Sequence, residues 1–178
     1  MEGWTDVSFL ATFLGIVVSG AVAIYIMRSQ FRYDIAVRKK EEIESYWKVH
    51  AVLSGQLQRA IDGFQFYEDA EVKDEEMLQQ SLTRVLDSLG GLDMDGVEYN
   101  GQRIHRSIIR EVAFLIDLDN SPFMEVVDVD PGIYEDYKYM YLRQVMGRLT
   151  RIQRQLLRFH EEQHNRYKKL KKWTKRFE

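Results

Sequence analysis

The sequence predicts an all-α protein in which one N-terminal transmembrane helix continues into an up-down helical bundle that ends in a long C-terminal helix. Three observations carry this. Residues 7–27 form an apolar run with no charge and no proline. Only two prolines, Pro122 and Pro131, stand among 178 residues, so long helices meet few breaks. Apolar residues recur at helical spacing in four stretches, separated by short turns rich in glycine and carboxylates.

The apolar run, VSFLATFLGIVVSGAVAIYIM, matches the ~20 residues a helix needs to cross a hydrocarbon core of about 30 Å. A helix also satisfies every backbone polar group inside lipid. The leader before it, MEGWTD, is acidic, whereas Arg28, Arg32, Arg38, Lys39 and Lys40 follow it. A cleaved signal peptide shows the reverse charge order and a shorter apolar core. Positive charge marks the cytoplasmic flank. The expectation is an uncleaved anchor, with residues 1–6 outside, 7–27 in a membrane such as the bacterial inner membrane, and 28–178 cytoplasmic. Gly15, Ser19 and Ala23 recur every fourth residue, a spacing that lets two spans pack closely. Trp4 and Tyr25 sit where amphipathic rings favour the headgroup level.

Nothing obliges the helix to stop between Arg28 and about Glu68. Phe31, Ile35, Ile43, Tyr46 or Trp47, His50, Leu53 or Ser54, Leu57, Ile61 and Phe64 mark its apolar face. A carboxylate-rich turn over 68–74 follows, with Asp74 placed to cap a second helix over about 75–89. That helix offers Met77 or Leu78, Leu82, Val85 or Leu86, and Leu89. Gly90-Gly91 ends it. Residues 92–101, with an Asp-Gly and an Asn-Gly, read as irregular chain or a short hairpin. A third helix over about 102–118 carries Ile104, Ile108, Ile109, Val112, Phe114 or Leu115, and Ile116. Asp119-Asn120-Ser121-Pro122 closes it, and Phe123 to Val129 is a connector. Asp130-Pro131 is a helix start, and Glu135 and Asp136 suit its positive dipole end. The last helix runs to about Lys172, with Leu142, Val145, Leu149, Ile152, Leu156 and Phe159 as a heptad seam. Four helices joined by three reversals return the C-terminal end to the side of the chain where the span lies.

No cysteine is present, which excludes disulfides and thiolate chemistry. Phosphate-loop, dinucleotide and nucleophile-elbow motifs are absent. The acidic segments 68–76 and 117–130 lack the calcium-loop pattern and read as solvated loops. His160-Glu161-Glu162-Gln163-His164 matches the zinc-peptidase pattern H-E-x-x-H. Only 14 residues follow, half of them cationic, and Arg158 and Arg166 flank it, so a chance match on a polar helix is the preferred reading; no cofactor and no metal are expected. Tyr134, Tyr137, Tyr139, Met140 and Tyr141 read as packing residues.

Two arginine rows remain. Arg103, Arg106 and Arg110, with His105 beside them, and Arg151, Arg154 and Arg158 have spacings that place each set on one helix face. Guanidinium groups bind phosphate or carboxylate bidentately. The bland alternative is pairing with nearby acidic loops. The tail from Arg166 to Phe177 interleaves Lys168, Lys169, Lys171 and Lys172 with Trp173, and joins Arg28, Arg32, Lys39 and Lys40 as candidate contacts to anionic lipid. Nucleic acid is the less favoured polyanion, because the anchored geometry brings lipid nearer.

The functional expectation is a non-enzymatic, homo-oligomeric membrane protein whose cytosolic domain binds an anionic, nucleotide-like ligand or a protein partner and signals to the span. Membrane-perturbing effectors of prokaryotic antiviral defence share this plan, an analogy of architecture alone. The alternatives are a passive anchor or scaffold for a cytosolic partner and, more remotely, a zinc peptidase.

Overall fold

The computed structural model describes the backbone of residues 3–116 and 131–175 and the side chains of 8–116 and 137–175. The expected helix stop at 119–122, the connector 123–129, the Asp130 cap and the side chains of Trp4, Tyr134, Glu135, Asp136 and Phe177 lie outside the described residues. Four helices account for nearly all of the rest: α1 (Gly3–Asp69), α2 (Glu75–Gly90), α3 (Tyr99–Ile116) and α4 (Pro131–Thr174). α1 is one uninterrupted helix of 67 residues that carries both the apolar run and the first face of the bundle. No strand occurs among the described residues, so 92–98 is irregular chain and not a hairpin. Its turn places Gly96 at φ 73°, a left-handed conformation that costs glycine nothing. The Asp93 carboxylate tightens that turn by accepting from the Asp95 N–H at 2.9 Å.

The chain divides into two compact units, residues 41–168 and residues 1–40 with 169–178. In the larger unit, facing pairs fix an up-down bundle. α1 runs antiparallel to α4 through Tyr167 and Glu44, His50 and His160, Gln58 and Gln153, and Arg143 and Glu68. It runs antiparallel to α2 through Gln56 and Ser88, and Tyr67 and Glu75. α3 pairs with α4 through Gly101 against Phe159, and Glu111 against Arg148. The core between them is aliphatic with an aromatic end: the entire expected α4 seam is buried, together with Tyr46, Leu53, Leu57 and Phe64 of α1, Leu82 and Leu89 of α2, and Ile108 and Leu115 of α3.

Local chemistry ends the helices where it should. The Asp74 carboxylate accepts from the Met77 N–H at 2.9 Å, an N-cap for α2. α1 has no cation in its last turn, and Lys73 supplies one from the following turn, donating to the carbonyls of Tyr67 and Glu68. At the start of α3, Gly101 is needed for close approach. A Cβ there would meet Val97 Cγ1 at 2.7 Å, Phe159 Cε1 at 3.4 Å and Tyr46 Cδ2 at 3.5 Å. Gly101→Ala is therefore expected to lower stability by about 1–3 kcal/mol through overpacking, although helix propensity alone favours alanine by ~1 kcal/mol. A thermal melt of the variant beside the parent checks the sign.

In the smaller unit, α1 presents the apolar run with none of it buried, a candidate membrane span. Gly15 and Gly20 have nothing within contact distance of where a Cβ would stand.

Candidate functional site: an arginine face on α3 and α4

The two arginine rows lie on adjacent antiparallel helices at matching levels. The facing pairs Gly101/Phe159 and Glu98/Gln163 set the register, which puts Arg103 level with Arg158, Arg106 with Arg154 and Arg110 with Arg151. All six arginines are exposed. Helical rise spaces the members of each row by about 4.5 and 6 Å, and packed helix axes stand about 8–10 Å apart. The backbone positions of the six arginines therefore form two rows of three at matching levels.

The electrostatics of this face follow from the described residues of the two helices. Glu111 is the one carboxylate of α3, and no Asp or Glu occurs in α4 between Tyr137 and His160. Glu111 is buried and already committed: its Oε1 accepts from Arg110 Nη2 at 3.1 Å, and its Oε2 lies 2.7 Å from Arg148 Nε. The second approach is off the N–H direction, so it is an ionic contact rather than a linear hydrogen bond. A buried carboxylate needs such partners, and here two arginines supply them. Arg110 is thereby partly engaged. Arg106 donates to the Gln102 carbonyl and stands over the Tyr99 ring at 5.9 Å. Arg103, Arg106, Arg151, Arg154 and Arg158 pair with no carboxylate among the described residues, and the acidic segment 117–130 lies outside them.

His105 does not join this face. It is buried, and its Nε2 donates to the Leu89 carbonyl at 2.8 Å. It thus adds a side-chain hydrogen bond to a carbonyl at the C-terminal end of α2 that also accepts from the Leu92 N–H at 3.2 Å. One residue of helical rotation separates it from the arginines, which the 3.6-residue period makes the difference between core and surface.

His160 and His164 face α1 instead of a cleft. His160 stacks on His50 with ring centroids 3.9 Å apart, and His164 lies 6.1 Å from Trp47. Among the described residues no group of three His, Asp or Glu side chains is placed to hold a metal ion. This aromatic seam also contains Tyr46, edge-on to Phe159 at 4.9 Å, and Trp47 against Tyr167 at 4.6 Å. Tyr46 Oη, Trp47 Nε1, His50 Nε2 and His160 Nδ1 are buried there without a hydrogen-bond partner among the described residues. Burial, reinforced by the His160 charge, pushes the His50 imidazole down to about 4.

The sign of the resulting pH dependence is definite. Unfolded His50 takes up its proton near 6.5 and the folded protein resists it until about 4. Stability from the neutral His50 imidazole is therefore complete above about pH 6.5, declines as pH falls through that window and levels off below about 4. His50→Leu is expected to flatten the decline in melting temperature between pH 7 and pH 4.5, measured on the full chain in nanodiscs. Glu68 adds acid sensitivity at lower pH. Tyr139 Oη at 2.7 Å and the Arg143 guanidinium at 2.7 and 2.9 Å all donate to one of its oxygens and hold its carboxyl below the usual range.

The candidate lipid contacts divide by unit. Arg28, Arg32, Lys39 and Lys40 share the smaller unit with Lys169, Lys171, Lys172 and Trp173, whereas Lys168 closes the larger one. Of these, Lys40 and Trp173 are half-buried and the others exposed. Gly15, Ser19 and Ala23 are exposed along the apolar run. Comparison with protein-family models, curated proteins and solved structures finds no match.

Proposed function

We propose that the protein is a non-enzymatic, oligomeric single-span membrane protein whose cytoplasmic bundle binds a phosphate-rich, nucleotide-like anion on the arginine face of α3 and α4. The observation that carries this reading is the array itself: five exposed guanidiniums without a carboxylate partner among the described residues, at matching levels on two helices. Like charges so placed repel one another, and a multivalent anion relieves that repulsion while gaining bidentate hydrogen bonds.

Signalling to the span would use the α1/α4 seam. α4 carries Arg151, Arg154 and Arg158 on its outer face and meets α1 through surface polar pairs such as Gln153 with Gln58 and Arg143 with Glu68. A ligand that favours one placement of α4 biases α1 by its differential affinity for the two arrangements. α1 is covalently continuous with the apolar run, whose small-residue row would re-pack between copies.

The test is a calorimetric titration of the full chain, in nanodiscs of zwitterionic lipid, with inorganic tripolyphosphate. Saturable binding that weakens as salt rises is expected. Absence of binding at low salt overturns the reading.

A further inference from the structure

On the side of the bundle away from the arginine face, α1 and α2 enclose a groove with a polar and an apolar half. The apolar half is a hollow of about 360 Å³ between the end of α1 and the start of α2. Phe66, Val72 and Met77 line it, and they remain 67%, 81% and 58% exposed. Large apolar side chains gathered around a concavity, and not scattered singly, mark a binding surface. The hollow continues past Gly63, Ser81 and Arg84, which it shares, into a polar half that adds Arg59, Gln56 and Ser88. Gly63 keeps the passage between the halves open: it has no side chain, and Ser81 Oγ would be 3.5 Å from a Cβ there.

Charge selects the occupant. The pairs Gln56/Ser88 and Gly63/Ser81 set the α1/α2 register, which brings Arg59 and Arg84 to the same level across the groove. Neither arginine has an ion pair or hydrogen bond among the described residues. Two carboxylates also line the groove, each hydrogen-bonded to a neutral donor: Asp74 caps α2 in the apolar half, and Asp62 in the polar half accepts from Gln58 Nε2 at 2.7 Å and is outnumbered there by the two arginines. From the arginine level to Phe66 is two helical turns, roughly 10 Å, and to Ala70 roughly 16 Å. A hollow of this size suits one acyl chain.

We infer that the α1/α2 groove binds a free single-chain amphipathic anion of the fatty-acid class, its carboxylate between Arg59 and Arg84 and its tail over Phe66, Met77 and Val72. This site is separate from the arginine face and does not depend on it.

The test uses the full chain in nanodiscs of zwitterionic lipid, photolabelled with a diazirine derivative of dodecanoic acid and mapped by peptide mass spectrometry. Saturable labelling within residues 59–84 is expected, competed by dodecanoate but not by tripolyphosphate. Arg59→Glu with Arg84→Glu should lower labelling about tenfold, the scale of a lost charge-assisted contact, and Met77→Asp should do the same. All three positions are exposed, so melting temperatures should hold, and Arg84→Lys should retain labelling. Equal labelling of the arginine variant, equal competition by neutral dodecyl maltoside, or no saturable labelling would each overturn the assignment. Arg106→Glu with Arg154→Glu should leave the labelling unchanged, and a loss there would contradict the independence of the two sites.

Discussion

The full chain carrying Arg106→Glu and Arg154→Glu is expected to lose tripolyphosphate binding by at least a hundredfold while keeping its melting temperature. The two positions are level on α3 and α4, so one double change removes two donors and places two carboxylates in the centre of the array. Each charge-assisted hydrogen bond is worth about 1.5–3 kcal/mol, and losing two of them corresponds to a factor of at least ~100 in affinity. Stability should be spared because neither side chain is buried and neither holds Glu111. The paired control is Arg59→Glu with Arg84→Glu, which carries the same charge change on the opposite side of the bundle. If both pairs weaken tripolyphosphate equally, the ligand senses net charge and not the array. Calorimetry at two salt concentrations separates these outcomes.

Leu149→Ala is expected to destabilise the bundle by about 2–5 kcal/mol, and Leu157→Ala by less than ~0.5 kcal/mol. Both are leucines of α4, eight residues apart, so helix propensity changes equally. Leu149 is wholly buried in the seam, whereas Leu157 is 53% exposed. For a domain of this size the first loss should appear as a fall in melting temperature of the order of 10 °C. Similar costs at the two sites would contradict the α4 register from which the levels of Arg151, Arg154 and Arg158 are taken, so this measurement also guards the functional reading.

The seam was legible because periodicity is a one-dimensional property. Every expected α4 position from Leu142 to Phe159 is buried, and α2 begins at the cap that Asp74 announces. Adjacent apolar pairs were not resolved by spacing. Tyr46, Leu78 and Leu115 take the core, and Trp47, Met77 and Phe114 the flank or the surface, because a difference of one residue is 100° of rotation and only the neighbouring helices decide which side is inner. Buried polar residues were harder still. Gln163 stands among polar neighbours in the sequence and Glu111 beside Arg110 in an apolar stretch, and their burial follows from partners on other elements, Arg148 for Glu111 and Glu98 for Gln163. The same reason hid two features of the candidate sites. Each arginine row was visible alone, but their matching levels depend on α3 packing antiparallel to α4. The α1/α2 groove depends on Gly63 and Ser81 meeting across two helices, which no local pattern announces. His105 was misplaced in the opposite sense, because proximity in sequence to three arginines outweighed its position on the apolar side.

The most direct measurement on the central claim is native mass spectrometry of the full-length protein released from detergent. It reads subunit number and the mass of any retained small molecule in one spectrum. The account predicts a defined homo-oligomer carrying a phosphate-rich anion, with the added mass absent from the Arg106→Glu, Arg154→Glu protein. A monomer with no added mass would contradict it.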